Sequence, residues 1–239
     1  MAEKKKSSLN GNRKIERPSG FLAIIISFLV ILSILTQLDL KPNYSNILED
    51  LSFLNENIIR LKINAFIWLI NAILIIFLGP SILMTFLPHG RSSSYLAAFL
   101  ISATGILYLL FTANCFNIIS VVKEYIALVD TTNSFLPSLA FNLLITRTNL
   151  QMIAYTLTGI SAIVLGSLIA RTGYLPRFIG WMSIIGGLIY IAFGWFDPES
   201  LVFVAGRVIF VLSLLFFGSY LLLRGTINRK SDIINPPEN

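Results

Sequence analysis

The chain alternates between long apolar runs and short polar connections. Six runs are long enough to cross a hydrocarbon core of about 30 Å as helices of about 20 residues each. Helix is the predicted form, because a backbone surrounded by lipid must satisfy its amides within its own segment. We therefore predict an all-α polytopic membrane protein, a six-transmembrane-helix bundle. The predicted spans are residues 21–38, 64–86, 95–121, 150–170, 175–195 and 202–223.

Polar segments flank the six spans. Residues 1–19 are basic and rich in Ser and Asn, which predicts a disordered cytoplasmic tail ahead of a transmembrane domain at residues 20–225. Residues 226–239 are predicted to form a second cytoplasmic tail. The first apolar run is longer than the core of a typical signal peptide and is not followed by a small-residue cleavage pattern, so we expect it to be retained as a span.

Two connections on the predicted outer side are partly apolar. Ile47, Leu51, Leu54, Ile58 and Leu61 recur at helical spacing, which predicts an amphipathic outer segment over residues 45–62 that lies at the membrane interface. Residues 131–148 are also semi-apolar and contain Pro137 near their start. We expect this segment on the outer rim of the bundle, with Pro137 in a first helical turn.

Composition agrees with a membrane environment, since 55% of the residues are hydrophobic and only 13% are charged. In a soluble protein a net charge of +6 would point to nucleic acid, but here the basic residues lie in tails and connections, where they set orientation. If the N-terminus is cytoplasmic, twelve of the eighteen Lys and Arg lie inside. Five lie outside, Lys41, Arg60, Lys62, Lys123 and Arg147, and Arg207 lies within a span. This bias predicts a multi-pass protein of the cell membrane with both termini in the cytoplasm (N-in/C-in), and no nucleic-acid partner.

The inventory of reactive side chains is small. The chain has one cysteine, Cys115, and one histidine, His89, so a multi-histidine metal site and a bis-histidine haem site lack their ligands. No motif for a nucleophilic serine, a phosphate loop or a dinucleotide fold is present. We therefore predict no cofactor, no metal and no catalytic residue, and the inventory favours a non-enzymatic role.

Arg207 is the candidate ligand-binding residue that stands out, because it lies within the sixth span. An arginine within a membrane span costs at least about 2.5 kcal/mol on insertion scales and marks a functional site by default. One interpretation is a counter-ion for an anionic ligand. The other, which we favour from the sequence, is an arginine that snorkels to the outer surface and pairs with Asp197 or Glu199.

Neutral polar side chains form a second set of candidates. Asn64 and Asn71 lie on one face of the second span, Asn114 lies in the third, and Gln151 and Tyr155 share a face of the fourth. They either line a polar cavity in the outer half of the bundle or form interhelical hydrogen bonds of about 0.6 kcal/mol each. The second interpretation is the more frequent for such groups in membrane bundles.

The turn between the fourth and fifth spans carries the most specific motif. It reads GYLPR, Gly173 to Arg177, and a glycine-containing span with Tyr190 follows. This stretch resembles the signature of a prokaryotic family of six-span membrane proteins, domain of unknown function 4386. The resemblance covers about residues 20–225 and implies a six-helix fold. It implies no activity and no functional residue. From the residues themselves, Gly173 suits a helix end and Pro176 the first turn of the next helix.

Three functional hypotheses follow. The first is a non-enzymatic binding or accessory subunit, with a membrane-protein partner or a second copy of the chain. The second is a transporter or binder of a small amphiphile or lipid, which requires Arg207 and the polar faces to meet in one cavity. The third is a membrane-embedded enzyme that modifies lipids.

Overall fold

A computed structural model of the chain describes residues 2–37, 47–127, 135–196 and 200–234, and every regular element in these ranges is an α-helix. The elements are α1 (Ala2–Thr36), α2 (Ile47–Glu56), α3 (Ile58–Phe86), α4 (Arg91–Ala127), α5 (Phe135–Thr172), α6 (Arg177–Phe196) and α7 (Leu201–Ile234). Six of them, all but α2, are long and apolar enough to cross a membrane. The prediction of an all-α chain with six membrane helices is confirmed.

The six long helices form a closed ring. Each packs against the next along the chain, and the ring closes because α1 packs against both α3 and α7. Glu16 of α1 and Arg224 of α7 both contact Tyr174, in the turn between α5 and α6. The chain therefore enters the bundle and leaves it on the same face. We call this the terminal face and the opposite one the distal face. That the terminal face is cytoplasmic stays a prediction, which rests on the distribution of Lys and Arg.

Glycines allow close helix contacts within this ring. A Cβ at Gly159 would lie 2.6 Å from the carbonyl oxygen of Gly187, and a Cβ at Gly166 would lie 2.5 Å from that of Gly180. The small residues of α5 and α6 therefore bring these two helices together, as expected for packing in lipid. Ser183 adds a hydrogen bond from its hydroxyl to the carbonyl of Ala162, at 2.8 Å.

The outer surface of the ring is apolar. Large side chains such as Phe28, Phe66 and Phe99 are exposed by 61%, 57% and 69%. In water such a surface would drive aggregation, whereas in a bilayer it contacts acyl chains. The surface pattern therefore supports a lipid bilayer as the environment.

Two helices extend well beyond the predicted spans. α4 has 37 residues and α5 has 38, or about 55 Å each, against a hydrocarbon core of about 30 Å. The segment expected on the outer rim belongs to α5 from Phe135 on, and its Leu136 and Leu144 are buried by packing within the bundle. Hydropathy alone placed the start of the fourth span at residue 150, because the apolar content is lower before that residue. The apolar stripe of the helix nevertheless continues toward Phe135.

α2 also differs from the expected interfacial helix. It has ten residues and ends at Glu56, and the predicted segment's remaining apolar positions, Ile58 and Leu61, belong to α3. Leu51 and Leu54 are each 1% exposed, and α2 packs against α3, α4 and α5. Its apolar stripe therefore faces the distal ends of these helices, which extend far enough to cover it.

The backbone of α1 is helical from Ala2, where the composition predicts a disordered tail. Lys and Glu are good helix formers, and a helix that already exists extends residue by residue at little cost. α7 likewise continues to Ile234, into the second predicted tail. Of that tail, residues 235–239 lie outside the described ranges.

The GYLPR turn has the predicted backbone. Gly173 has φ 61°, and its amide bonds to the carbonyl of Ile169 at 3.3 Å. This left-handed residue ends α5, and α6 begins directly after Pro176.

Candidate functional site

Arg207 lies inside the distal half of the bundle. It is six residues from the start of α7 at Leu201, about 9 Å along the helix axis. Its side chain is only 4% exposed, so it does not reach the surface as the snorkelling interpretation requires. Asp197 and Glu199, the ion-pair partners of that interpretation, lie outside the described residues.

Groups from α5, from α7 and from the residue that follows α1 surround the Arg207 guanidinium. Nη1 donates a hydrogen bond to Oε1 of Gln37, just beyond α1, at 2.7 Å. Cζ lies 5.9 Å from the ring centroids of Tyr155 and Phe203, within the range of cation–π attraction. Nε is buried and has no hydrogen-bond partner in the part of the chain that the structure describes. All these neighbours are neutral, so among the described residues nothing compensates the charge.

The aromatic side of this site is a compact cluster. Tyr155, Tyr190 and Phe203 pack with centroid separations of 5.7, 4.9 and 5.3 Å, and all three are buried. Gln151 donates from Nε2 to the Tyr155 hydroxyl at 2.6 Å. Three of the six candidate residues, Arg207, Tyr155 and Gln151, are therefore brought together.

Asn64 serves a different purpose. Its Nδ2 donates to the carbonyl of Ser33 and to Oγ1 of Thr36, both at 2.9 Å. These bonds connect α3 to α1. For this residue the structure supports the interpretation as an interhelical hydrogen bond.

Asn71 and Asn114 are buried and incompletely hydrogen-bonded. Asn71 is 0% exposed, and neither its Oδ1 nor its Nδ2 has a hydrogen-bond partner within the described ranges; Asn114 is 7% exposed, and its Oδ1 has none there. Such a group costs roughly 1–3 kcal/mol relative to a satisfied one. No hydrogen bond joins either to Arg207 within the described residues, so the polar faces converge only in part.

A central cavity lies between the spans. Its volume is about 50 Å³, and side chains from all six long helices line it, most of them apolar. Four hydroxyls on its wall form two pairs, Thr104 with Ser161 and Tyr108 with Thr158, both at 3.0 Å. Tyr190 belongs to the wall and also to the aromatic cluster beside Arg207, so the two features share a boundary.

Sequence reasoning missed a second buried cation, Arg147, by placing it in an outer connection. It is 4% exposed, its Cζ lies 5.2 Å from the ring centroid of Phe111, and its Nε has no hydrogen-bond partner among the described residues. A signal was available, because Leu144, Arg147 and Gln151 continue one helical stripe at spacings of three and four. Because the predicted span started at residue 150, Leu144 and Arg147 were left out of the helix to which this stripe belongs.

Aromatic contacts connect Arg147 with the central cavity. Trp68 packs edge-on against Phe111 at 6.2 Å and stacks on Tyr108 at 4.4 Å, and both Trp68 and Tyr108 line the cavity. Each buried arginine is thus separated from the cavity by aromatic side chains.

A separate cluster lies at the terminal face around Tyr174 of the GYLPR motif. The Tyr174 hydroxyl donates to Oε1 of Glu16, and Nη1 of Arg224 donates to the Tyr174 carbonyl at 2.7 Å. The Arg224 guanidinium stacks over the Tyr174 ring at 4.2 Å, and His89 packs on that ring at 4.4 Å. Tyr174 therefore connects α1, α7 and the α3–α4 turn.

Burial sets the protonation of this cluster. Burial and then the hydrogen bond to Glu16 raise the pKa of Tyr174 above its ordinary value. Burial and then the nearby Arg224 cation lower the pKa of His89. Both side chains therefore favour the neutral form at neutral pH. In the described residues no group of three His, Cys, Asp or Glu side chains lies close enough to hold a metal ion.

Comparison with known proteins gives a family and no activity. The family model described as Domain of unknown function (DUF4386) matches residues 19–225. No curated protein and no solved structure matches the chain significantly.

Proposed function

The chain belongs to this family of unknown function, and we propose that it binds a small anionic amphiphile inside the distal half of its helix bundle. Arg207 carries the proposal. A buried guanidinium without a compensating charge is costly, and an anionic ligand removes that cost. The proposal is a form of the binding-protein hypothesis, and the transporter and lipid-modifying-enzyme hypotheses stay untested.

The surroundings of Arg207 favour an anionic head group. A carboxylate or phosphate accepts charge-assisted hydrogen bonds from a guanidinium, and Nε of Arg207 is available for one. Gln37 holds the guanidinium from the distal side at 2.7 Å. The rings of Tyr155 and Phe203 limit the space beside it and exclude water, which strengthens the ionic contact.

The central cavity favours an apolar group behind that head. Its volume of about 50 Å³ is far below the roughly 300 Å³ of a typical small-molecule site. It therefore has room for a short apolar group, and a longer chain requires the spans to separate. Tyr190 stands between this cavity and the cluster at Arg207, so a rotation of its side chain would join them.

Arg147 supports the same type of ligand. Two helices of the distal half each bury a guanidinium against aromatic rings, and each guanidinium has a Nε without a partner. Two buried cations in one half of a bundle raise its affinity for anions.

A substitution at Gln37 tests the proposal without removing Arg207. In Gln37→Glu the new carboxylate takes the place of the Oε1 acceptor at 2.7 Å and neutralises the cation internally. We expect octanoate, used as the probe, to bind the purified wild-type protein. Gln37→Glu and Arg207→Gln should bind it at least about tenfold more weakly, as for loss of one charge-assisted contact. Isothermal titration calorimetry measures this.

Two controls make the outcome decisive. Octanol has the same chain without the charge and should bind wild type and variants alike, while Gln37→Met should retain octanoate binding. If Asp197 or Glu199 already neutralises Arg207, wild type will not bind octanoate, and the double variant Asp197→Asn, Glu199→Gln will. That result would overturn the proposal.

A further inference from the structure

A groove at the terminal face divides into a polar end and an apolar end. It lies between the first turns of α4 and the last turns of α5 and has a volume of about 360 Å³. His89, Ser93, Arg171 and Thr172 line its polar end, at the helix termini. Leu96, Ile163 and Val164 line the other end, which lies deeper in the spans.

The polar end is suited to a phosphate group. Arg171 is exposed there and provides a cation. α4 begins at Arg91, so its first amides and the positive end of its helix dipole lie at the same end of the groove. Ser93 and Thr172 add hydroxyls. His89 adds a neutral ring, since burial and then Arg224 lower its pKa.

The apolar end is suited to an acyl chain. Val164 and Arg171 are seven residues apart on α5, which separates the two ends by about 10 Å along the helix. Leu96 is 50% exposed on the lipid-facing surface, so the groove opens sideways toward the hydrocarbon. A free anion would leave this end unoccupied.

We propose that this groove binds one anionic phospholipid, with its phosphate between Arg171 and the first turn of α4 and one acyl chain along Leu96 and Val164. Basic pockets between membrane helices on the cytoplasmic side are known to select anionic head groups. The lipid bridges α4 and α5, which places it beside the turn that carries the GYLPR motif. This site is separate from Arg207, which lies in the other half of the bundle.

The test compares two arginines of the same face. Arg171→Gln removes the cation of the groove, whereas Arg177→Gln removes another exposed arginine, which lies at the start of α6 and does not line the groove. Delipidated protein is mixed with dioleoyl phosphatidylglycerol or dioleoyl phosphatidylcholine, and bound lipid is counted by native mass spectrometry. We expect Arg171→Gln to bind phosphatidylglycerol about tenfold more weakly, and Arg177→Gln to bind it like wild type.

Further variants separate the parts of the site. Arg171→Lys should restore most of the preference for phosphatidylglycerol, which shows that a loss in Arg171→Gln is not misfolding. Ser167→Phe, which fills the middle of the groove, should weaken both lipids. Inorganic phosphate should not displace phosphatidylglycerol at millimolar concentration. Equal losses in the two glutamine variants, or displacement by phosphate, would overturn the proposal. Gln37→Glu should retain the lipid, so failure of the octanoate experiment does not affect this result.

Discussion

The two halves of the bundle satisfy their polar groups to different degrees. In the terminal half, helices approach through Gly166 and Gly180, and Tyr174 joins Glu16 and Arg224 in one bonded cluster. Even there Oε2 of Glu16 is buried and has no hydrogen-bond partner among the residues that the structure describes. In the distal half Arg147 and Arg207 each bury a guanidinium with an unpartnered Nε.

The difference separates the half in which polar contacts hold the helices together from the half in which buried polar atoms can still accept or donate hydrogen bonds. A satisfied polar network makes a bundle rigid, whereas unpartnered buried polar atoms lower its stability until something binds them. We infer that the terminal half holds the helices together and that the distal half is the place for a ligand inside the bundle, whereas the proposed phospholipid lies in a groove that opens to the hydrocarbon at the terminal face. Three measurements test this contrast.

The largest effect is expected from close packing in the terminal half. Gly166→Ala places a Cβ 2.5 Å from the carbonyl oxygen of Gly180, so the α5 and α6 backbones must separate. We expect a loss of about 2 kcal/mol, or roughly 4–8 °C in Tm, measured by thermal unfolding in detergent. The matched control is Gly90→Ala, whose new Cβ meets only Leu168, at 3.8 Å, and should leave Tm nearly unchanged. Equal Tm values for the two variants would contradict the tight packing.

An intermediate effect of opposite sign is expected at two asparagines of α3. Asn64→Leu removes two interhelical hydrogen bonds and should lower stability by about 1–2 kcal/mol. Asn71→Leu replaces a buried amide that has no partner and should raise stability by about 1 kcal/mol. Thermal unfolding of purified, ligand-free protein measures both. If Asn71→Leu proves as damaging as Asn64→Leu, Asn71 has a partner and the contrast between satisfied and unsatisfied sites is weaker.

The smallest effect is a dependence on pH that arises in the terminal half. Burial and then Arg224 lower the pKa of His89 in the folded protein, so the unfolded chain takes up its proton at a higher pH. Stability is therefore complete above the ordinary histidine pKa of about 6.5 and falls as the pH drops below it. His89→Gln should remove this part of the slope of Tm between pH 7 and pH 5. An unchanged slope would show that His89 is not its source.

Much of the fold could be read from hydropathy. The six membrane helices, and the helix end at Gly173, were predicted because each depends on local sequence. The lengths of α4 and α5 were not predicted. Hydropathy reports only the part of a helix that lies in the hydrocarbon, whereas the helix itself continues as long as neighbouring helices cover its apolar stripe. Leu136 and Leu144 are buried for that reason.

The candidate site could be predicted only in part. Arg207 stood out because a charge within a span is unusual, but its burial against Tyr155 and its bond to Gln37 depend on residues 52 and 170 positions away. Arg147 was missed because its environment consists of Phe111 and other residues from the neighbouring helix. Asn64 and Asn71 are equivalent in the sequence, and only their neighbours show that one is bonded and the other is not.

The sequence by itself determined that the helices lie in a lipid bilayer, how many of them there are, and which backbone the GYLPR turn adopts. These features depend on apolar content, on segment length and on the conformational preferences of Gly and Pro, which are all local properties. Tertiary structure alone decided that α1 closes the ring against α7, that Tyr174 connects α1, α7 and the α3–α4 turn at the terminal face, and that two arginines lie inside the distal half. The physical reason is that burial and hydrogen bonding depend on which helix faces are brought together, and a periodic apolar pattern leaves many pairings of similar energy.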